Sequence, residues 1–345
     1  MSASATTKVT AATAVLVKVV TACLFVYALG EYILGPWTLL LFLPASVLLF
    51  FAGRAFLLDR VLDRALPVPR FEPSVPVHEW PKSYAMVTGA SYGLGYEFAK
   101  LLAADGYDLV LVARSEDKLA EVKEELTARY ANVDVKCIAK DLTAENAAFE
   151  VFDKIRAENI LVELLINNAG IGTYGEFQLT PLSQVKKTME LNVVALTELT
   201  HFFLNRMLHP SEHGFGRGKI LNIASSAGFQ PGPYMSVYYA TKAFVISFTE
   251  GLSYELRNTD VSVACACPGP ITTEFTKSAG NGETMLFKSP GVLAPEEAAG
   301  IMYRQWMREG ETVIVPGFLY NFLSYLGPFF PSALRLFIVA RLNQQ

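Results

Sequence analysis

The chain has 345 residues, of which 52% are hydrophobic and 18% charged, with a formal net charge of −4 and a mean hydropathy of +0.30. It is too apolar for a disordered chain and more apolar than an ordinary soluble enzyme. The acidic balance and the absence of any run of Lys or Arg exclude the basic stripe of a nucleic-acid binder. Four cysteines (Cys23, Cys137, Cys265 and Cys267) are too few for a disulfide framework, and no Asn-x-Ser/Thr acceptor occurs, which points to a reducing, cytosol-facing compartment.

The charge is unevenly spread. Lys8, Lys18 and Glu31 are the only charged residues in the first 53, so a membrane-facing front is expected ahead of a soluble body. Residues 32–53 carry no charge and are about as long as a helix needs to cross a hydrocarbon core of roughly 30 Å. Residues 9–29 are also apolar but contain Lys18, and read as a first span or an interfacial helix. A cleaved signal peptide is the competing reading, disfavoured by the second apolar stretch and by the lack of a small-residue cleavage site. Arg54, Arg60, Arg64 and Arg70 follow, which places the body on the cytoplasmic side. Residues 1–65 are therefore expected to be a membrane anchor. Pro67, Pro69, Pro73, Pro76 and Pro81 make 66–82 an extended linker.

From residue 83 to 317 short apolar runs alternate with longer amphipathic stretches. Strands are expected at 84–88, 108–113, 133–138, 162–167, 218–224, 260–267 and 312–315. Helices are expected near 94–105, 116–130, 143–158, 182–208 and 239–258, where apolar positions recur at three and four. Such alternation predicts an α/β fold, a Rossmann-type doubly wound parallel sheet with its ligand crevice at the carboxyl ends of the strands. Cys265 and Cys267 fall in an alternating strand pattern with no second Cys or His pair at ligand spacing, so they read as core cysteines and no metal is expected. Residues 318–345 are apolar but broken by Gly327, Pro328 and Pro331. They read as an element lying on a membrane interface, covering a dimer contact, or capping the body's own core.

The first strand runs into Thr88-Gly89-Ala90-Ser91-Tyr92-Gly93-Leu94-Gly95. Glycines here let the chain turn tightly and bring main-chain N–H groups, at the start of a helix, against a pyrophosphate. The Gly-x-x-x-Gly-x-Gly spacing resembles the short-chain dehydrogenase/reductase family. Other elements of that pattern follow in order between about 84 and 273: Asn167-Asn168-Ala169-Gly170, Asn192 in Leu-Asn-Val-Val, Ser225 after Asn-Ile-Ala, Tyr238-Tyr-Ala-Thr-Lys242, and Pro268-Gly269 with Thr273 behind it.

The resemblance implies a catalytic set of Asn192, Ser225, Tyr238 and Lys242. Tyr238 protonates the carbonyl oxygen in reduction, Ser225 hydrogen-bonds the substrate oxygen, Lys242 holds the nicotinamide ribose, and Asn192 anchors a water in a proton relay. Tyr238 and Lys242 are four apart on an expected helix and share a face, and a neighbouring ammonium should favour the phenolate. Tyr234, Tyr239 and Ser226 lack that spacing and read as packing or pocket lining; Val193 reads as core. The cofactor residues implied are Gly89, Ser91, Tyr92, Gly93, Leu94, Gly95, Arg114, Asp141, Asn168, Ala169, Gly170, Tyr238, Lys242, Pro268, Gly269 and Thr273. Arg114 ends the second strand where an NAD enzyme places an acidic side chain, so NADP(H) is expected; Asp141 would contact the adenine.

Gly280, Gly282 and Gly291 among apolar residues between Gly269 and Ala294 suit a lid over a greasy substrate. The expected activity is NADPH-dependent reduction of a hydrophobic ketone, of lipid, 3-oxoacyl or steroid type, by an endoplasmic-reticulum or lipid-droplet membrane enzyme. Alternatives are oxidation of a hydroxysteroid or retinol by the same site, and a non-catalytic membrane scaffold, against which the intact Ser225, Tyr238 and Lys242 argue. The anchor and body together resemble the 17β-hydroxysteroid dehydrogenase and very-long-chain 3-oxoacyl-CoA reductase branch. A homodimer through the long helices near 182–208 and 239–258 is implied by the family alone.

Overall fold

A computed structural model describes residues 83–209, 216–271, 284, 292–317, 320–321, 323–324, 327 and 330–344. The expected spans at 9–29 and 32–53, the linker at 66–82 and nearly all of the expected lid lie outside the described residues. Among the described residues no helix is long and apolar enough to cross a membrane.

Seven strands form one sheet: β1 (Tyr84–Thr88), β2 (Asp108–Ala113), β3 (Val135–Ala139), β4 (Val162–Asn167), β5 (Arg217–Ile223), β6 (Asp260–Ala266) and β7 (Val313–Ile314), in the order β3-β2-β1-β4-β5-β6-β7. Every pairing is parallel. Parallel strands covered on both faces carry apolar side chains at successive positions, and β2 is buried along its whole length. Side chains alternate between the faces. Val87, Leu109, Leu111 and Ile166 pack on one side with Phe98 and Leu102, whereas Met86, Val110, Val112 and Leu165 pack on the other with Val151, Ile155 and Phe203.

The helices are α1 (Gly93–Ala104), α2 (Glu116–Arg129), α3 (Ala147–Ala157), α4 (Leu182–Met189), α5 (Leu196–Leu208), α6 (Ser236–Glu255), α7 (Pro295–Arg304) and α8 (Ser332–Asn343). Ser115 caps α2 by accepting from the Lys118 N–H at 3.4 Å, and Glu116 and Asp117 sit in its first turn, where the positive end of the helix dipole favours them. α7 has no side-chain cap but opens on Pro295, with Glu296 and Glu297 in its first turn. The single helix expected over 182–208 is interrupted by a π-helical stretch at Glu190–Ala195. The buried Asn192 side chain lies within it, committed to backbone and side-chain partners outside the helix.

The strand order reverses between β1 and β4, and a ligand crevice forms outside the carboxyl ends there. The loops after these two strands are tied together. The Thr88 hydroxyl accepts from the Asn168 and Ala169 N–H groups, both at 3.0 Å, and Asn168 Nδ2 donates to the Thr88 carbonyl at 2.9 Å and the Gly89 carbonyl at 3.2 Å. A buried polar chain continues across the sheet: Asn167 Nδ2 donates to Thr200 and Asn222, and Asn222 donates to Thr249, joining β4 and β5 to α5 and α6. Cys265 and Cys267 are fully buried free thiols.

Candidate active site

A cavity of about 850 Å³ opens at this switch point, within the size range of small-molecule and cofactor sites. Of the residues implied for the cofactor, Gly89, Ser91, Tyr92, Gly93, Leu94, Arg114, Asp141, Asn168, Ala169, Gly170, Pro268 and Gly269 line it, together with Ser225, Tyr238 and Lys242. Gly95 and Asn192 do not, and Thr273 lies outside the described residues.

Gly89 and Gly93 have φ of +66° and +60°, the left-handed region that glycine enters without penalty. Gly95 is required by proximity: a Cβ there would lie 2.2 Å from the Gly89 carbonyl oxygen and 2.5 Å from Asn168 Nδ2. The helix that follows has no side-chain cap and no acidic residue in its first turn. Its first N–H groups are thus left for an oxyanion at the positive end of the helix dipole. These features fit a dinucleotide. Burial opposes ionisation of Asp141, but hydrogen bonds from Thr143 and the charges of Arg114 and Lys187 hold its carboxyl below the usual carboxylate range.

On the opposite wall α6 carries Tyr238 and Lys242, 9% and 5% exposed. The Lys242 amine lies 5.8 Å from the centre of the Tyr238 ring and donates to the Ile223 carbonyl at 2.7 Å. Ser225 caps the short turn Ser226–Phe229 by accepting from the Ala227 N–H at 3.1 Å. This turn holds its hydroxyl against that of Tyr238, to which it is hydrogen-bonded. Ser226 also lines the cavity, but the bond to the tyrosine is made by Ser225.

The electrostatics differ from the sequence expectation. Burial pushes the Tyr238 hydroxyl up to about 12, with the Ser225 hydrogen bond pulling the other way, and burial brings the Lys242 amine down to about 8. Desolvation disfavours both charged forms, and the amine spends a proton on Ile223. Tyr238 in this setting is held as the neutral acid.

Asn192 is 1% exposed. Its Nδ2 donates to the Ile171 carbonyl at 2.9 Å and the Thr241 hydroxyl at 3.1 Å, and its Oδ1 accepts from the Ile171 N–H at 2.9 Å. Both amide hydrogens are used. Asn192 thus braces the loop after β4 against α6 from behind the cavity, and a Cβ at Gly170 would meet both Asn192 Oδ1 and Lys242 Nζ, at 3.3 and 3.6 Å. Val193 is half-buried. Tyr239 packs as expected and donates to Asn343 at 3.3 Å; Tyr234, at φ +66°, accepts from Gln344.

From the sequence, 318–345 is expected at a membrane interface, a dimer contact or the body's core rather than in the site. In the structure Tyr320, Leu323, Phe330, Ile338, Val339 and Leu342 form an apolar wall of the cavity. Gly269 accommodates this wall, since a Cβ there would lie 2.6 Å from the Tyr320 ring. The other side of α8 leaves Leu334, Leu336 and Phe337 between 38% and 61% exposed. Ile271 and Leu293 pair in an isolated parallel bridge.

Comparison with known proteins places this arrangement. The short chain dehydrogenase family profile matches residues 83–284. The bovine protein named very-long-chain 3-oxoacyl-CoA reductase is 33% identical over 247 residues, covering 68% of this chain and 76% of its own. The rat protein of the same name is 32% identical over 259 residues, covering 73% and 74%. A short-chain dehydrogenase from Sphingobium yanoikuyae, solved with NADPH, is 30% identical with a TM-score of 0.63, covering 72% of this chain and 93% of that one. The chain belongs to the short-chain dehydrogenase family, on the branch that holds the very-long-chain 3-oxoacyl-CoA reductases, and is an oxidoreductase.

Proposed function

We propose that the protein reduces the ketone of a long-chain 3-oxoacyl thioester to the secondary alcohol with NADPH, held at a membrane by the apolar segments at 9–29 and 32–53. The observation that carries this reading is one cavity shared by a neutral Tyr238 hydroxyl bonded to Ser225, a glycine loop opening a helix, and an apolar wall from the end of the chain. Names of relatives support the acyl substrate, and the NADPH in the Sphingobium structure supports the cofactor. Arg114 supports the phosphorylated form as well, because it lines the cavity at the end of β2, where a guanidinium can meet a 2′-phosphate.

When bound, NADPH supplies the hydride that becomes the new C–H bond. The hydroxyls of Ser225 and Tyr238 donate to the ketone oxygen and orient the carbonyl. As negative charge gathers on that oxygen, Tyr238 releases its proton to it. The phenolate left behind lies beside the Lys242 amine, whose protonated form stabilises it until a solvent proton returns. Asn192 keeps the loop after β4 and the start of α6 in register through this cycle.

The test is NADPH oxidation by the full chain in membranes, offered long-chain 3-oxoacyl-CoA, steroid ketones and retinal. The thioester is expected to be preferred, with kcat/KM rising by up to about fourfold for each added methylene, the transfer free energy of a buried CH₂. A steroid ketone or retinal turned over in preference to every thioester would overturn the substrate assignment.

A further inference from the structure

The face of α8 that looks into the cavity is not uniformly apolar. Arg335, Val339 and Asn343 are spaced by four and share one face, each about 6 Å along the helix from the next. Val339 packs in a buried cluster with Tyr238, Tyr239 and Met235. Asn343, 1% exposed, donates to the Pro233 carbonyl at 2.9 Å and accepts from the Tyr239 hydroxyl. These two turns fix the helix against the catalytic segment, and Arg335, one turn before Val339, lines the same cavity as Tyr238.

The Nε of Arg335 is shut away from solvent and has no hydrogen-bond partner, and no carboxylate pairs with the guanidinium among the described residues. The other cations of the lining are accounted for. Lys140 is paired with Glu150, Lys242 donates to Ile223, and Arg114 and Lys187 act on Asp141, the one carboxylate among the described residues that line the cavity. A half-buried guanidinium with one hidden, unanswered donor, set in an apolar wall, is suited to an oxyanion that reaches it through the cavity.

We propose that Arg335 is the anion-recognition residue of the substrate cleft, receiving an oxyanion borne by the substrate, either a phosphate of a thioester carrier or a carboxylate, while Tyr238 acts on the ketone. This inference rests on the reduction reading above. It assigns to α8 a selective role: the apolar wall accepts the chain, and Arg335 admits substrates that carry a negative group at the right distance.

The experiment compares three substrates of equal acyl length with the membrane-held full chain: 3-oxohexadecanoyl-CoA, its uncharged N-acetylcysteamine thioester, and free 3-oxohexadecanoate. For Arg335→Gln the ratio of kcat/KM on an anionic substrate to that on the uncharged thioester is expected to fall about tenfold to a hundredfold, the worth of a charge-assisted hydrogen bond, with the change carried by KM. Arg335→Lys is expected to restore part of the ratio by keeping the charge. A fall confined to the CoA ester identifies the phosphate as the ligand; a fall confined to the free acid identifies the carboxylate. An equal change on all three substrates, no change on any, or a loss matched by weaker NADPH binding overturns the assignment. A wild-type protein inert towards all three, and towards every other ketone, would instead remove the reduction reading itself.

Discussion

Tyr238→Phe is expected to lower ketone reduction by about 10²- to 10⁴-fold, the usual contribution of a positioned general acid, with NADPH affinity nearly intact. The reason lies in how few proton donors face the reacting oxygen. Ser225 has the ordinary hydroxyl of a serine and can orient a carbonyl, but Tyr238 has the acidic phenol, and Lys242 spends one of its protons on Ile223. The folded protein tolerates the change because the lost group is one oxygen whose partner, Ser225, keeps its bond to the Ala227 N–H; the cost in stability is about 1 kcal/mol. Since burial pushes Tyr238 up to about 12, the wild-type hydroxyl keeps its proton across the neutral range. The deficit of the variant should therefore be the same at acid and at mildly alkaline pH. Steady-state NADPH oxidation, with cofactor fluorescence as the binding control, checks both statements. A variant retaining more than a tenth of wild-type turnover would assign the proton to another group.

Gly95→Ala is the second change with a large expected effect, and it acts through the cofactor loop rather than the chemistry. Its new methyl would meet the Gly89 carbonyl at 2.2 Å and its carbon at 2.8 Å, as well as Asn168 Nδ2 at 2.5 Å. The first two are main-chain atoms, so no rotamer change relieves them, and α1 must move off the loop. That movement breaks the Asn168 bonds to Thr88 and Gly89 and turns the helix N–H groups away from the pyrophosphate position. Overpacking of this kind costs roughly 1–3 kcal/mol, and an NADPH affinity lower by about a hundredfold is expected if even two charge-assisted bonds are lost. Gly300→Ala provides the contrast. It lies within α7, its Cβ would meet nothing within 4 Å, and it should stabilise the protein by roughly 0.5–1 kcal/mol. Thermal melting with and without NADPH separates the two variants; similar behaviour of both would contradict the packing argument.

Much of this fold is legible in the sequence because a parallel sheet is an extreme case. Val110, Leu111 and Val112 must be apolar on both faces, so strands stand out as runs, and all seven appear within about two residues of their expected places. What escaped depends on tertiary contact. A helical period runs unbroken through 182–208, and nothing in it announces that Asn192 will turn to Ile171 and Thr241 and force a π-helical stretch. The start of α7 carries a signal, Pro295 followed by Glu296 and Glu297, directly after the glycine-broken stretch expected as a lid.

The site divides along the same line. Tyr238 and Lys242 are one turn apart and their shared face follows from spacing, but the electrostatic consequence does not, because the amine's turn towards Ile223 and the burial of both groups are properties of the closed fold. Asn343 reaches Tyr239 and Pro233 from more than a hundred residues away. The Gly327, Pro328 and Pro331 breakers ahead of it fit a membrane-interface element, a dimer cover or a cap on the body's own core alike, and nothing in the apolar segment singles out Arg335. Residues distant in sequence that complete a cleft leave no periodic trace.

The account depends on hydride reaching a ketone carbon while Tyr238 protonates the oxygen. Single-turnover reduction of a long-chain 3-oxoacyl-CoA with NADPH deuterated at the transferable position, followed by mass analysis of the product, measures this directly. The account predicts a 3-hydroxyacyl product carrying one deuterium on the carbinol carbon in ordinary water. A product that acquires carbon-bound deuterium only from heavy water, or oxidised cofactor without any hydroxyacyl product, would contradict it.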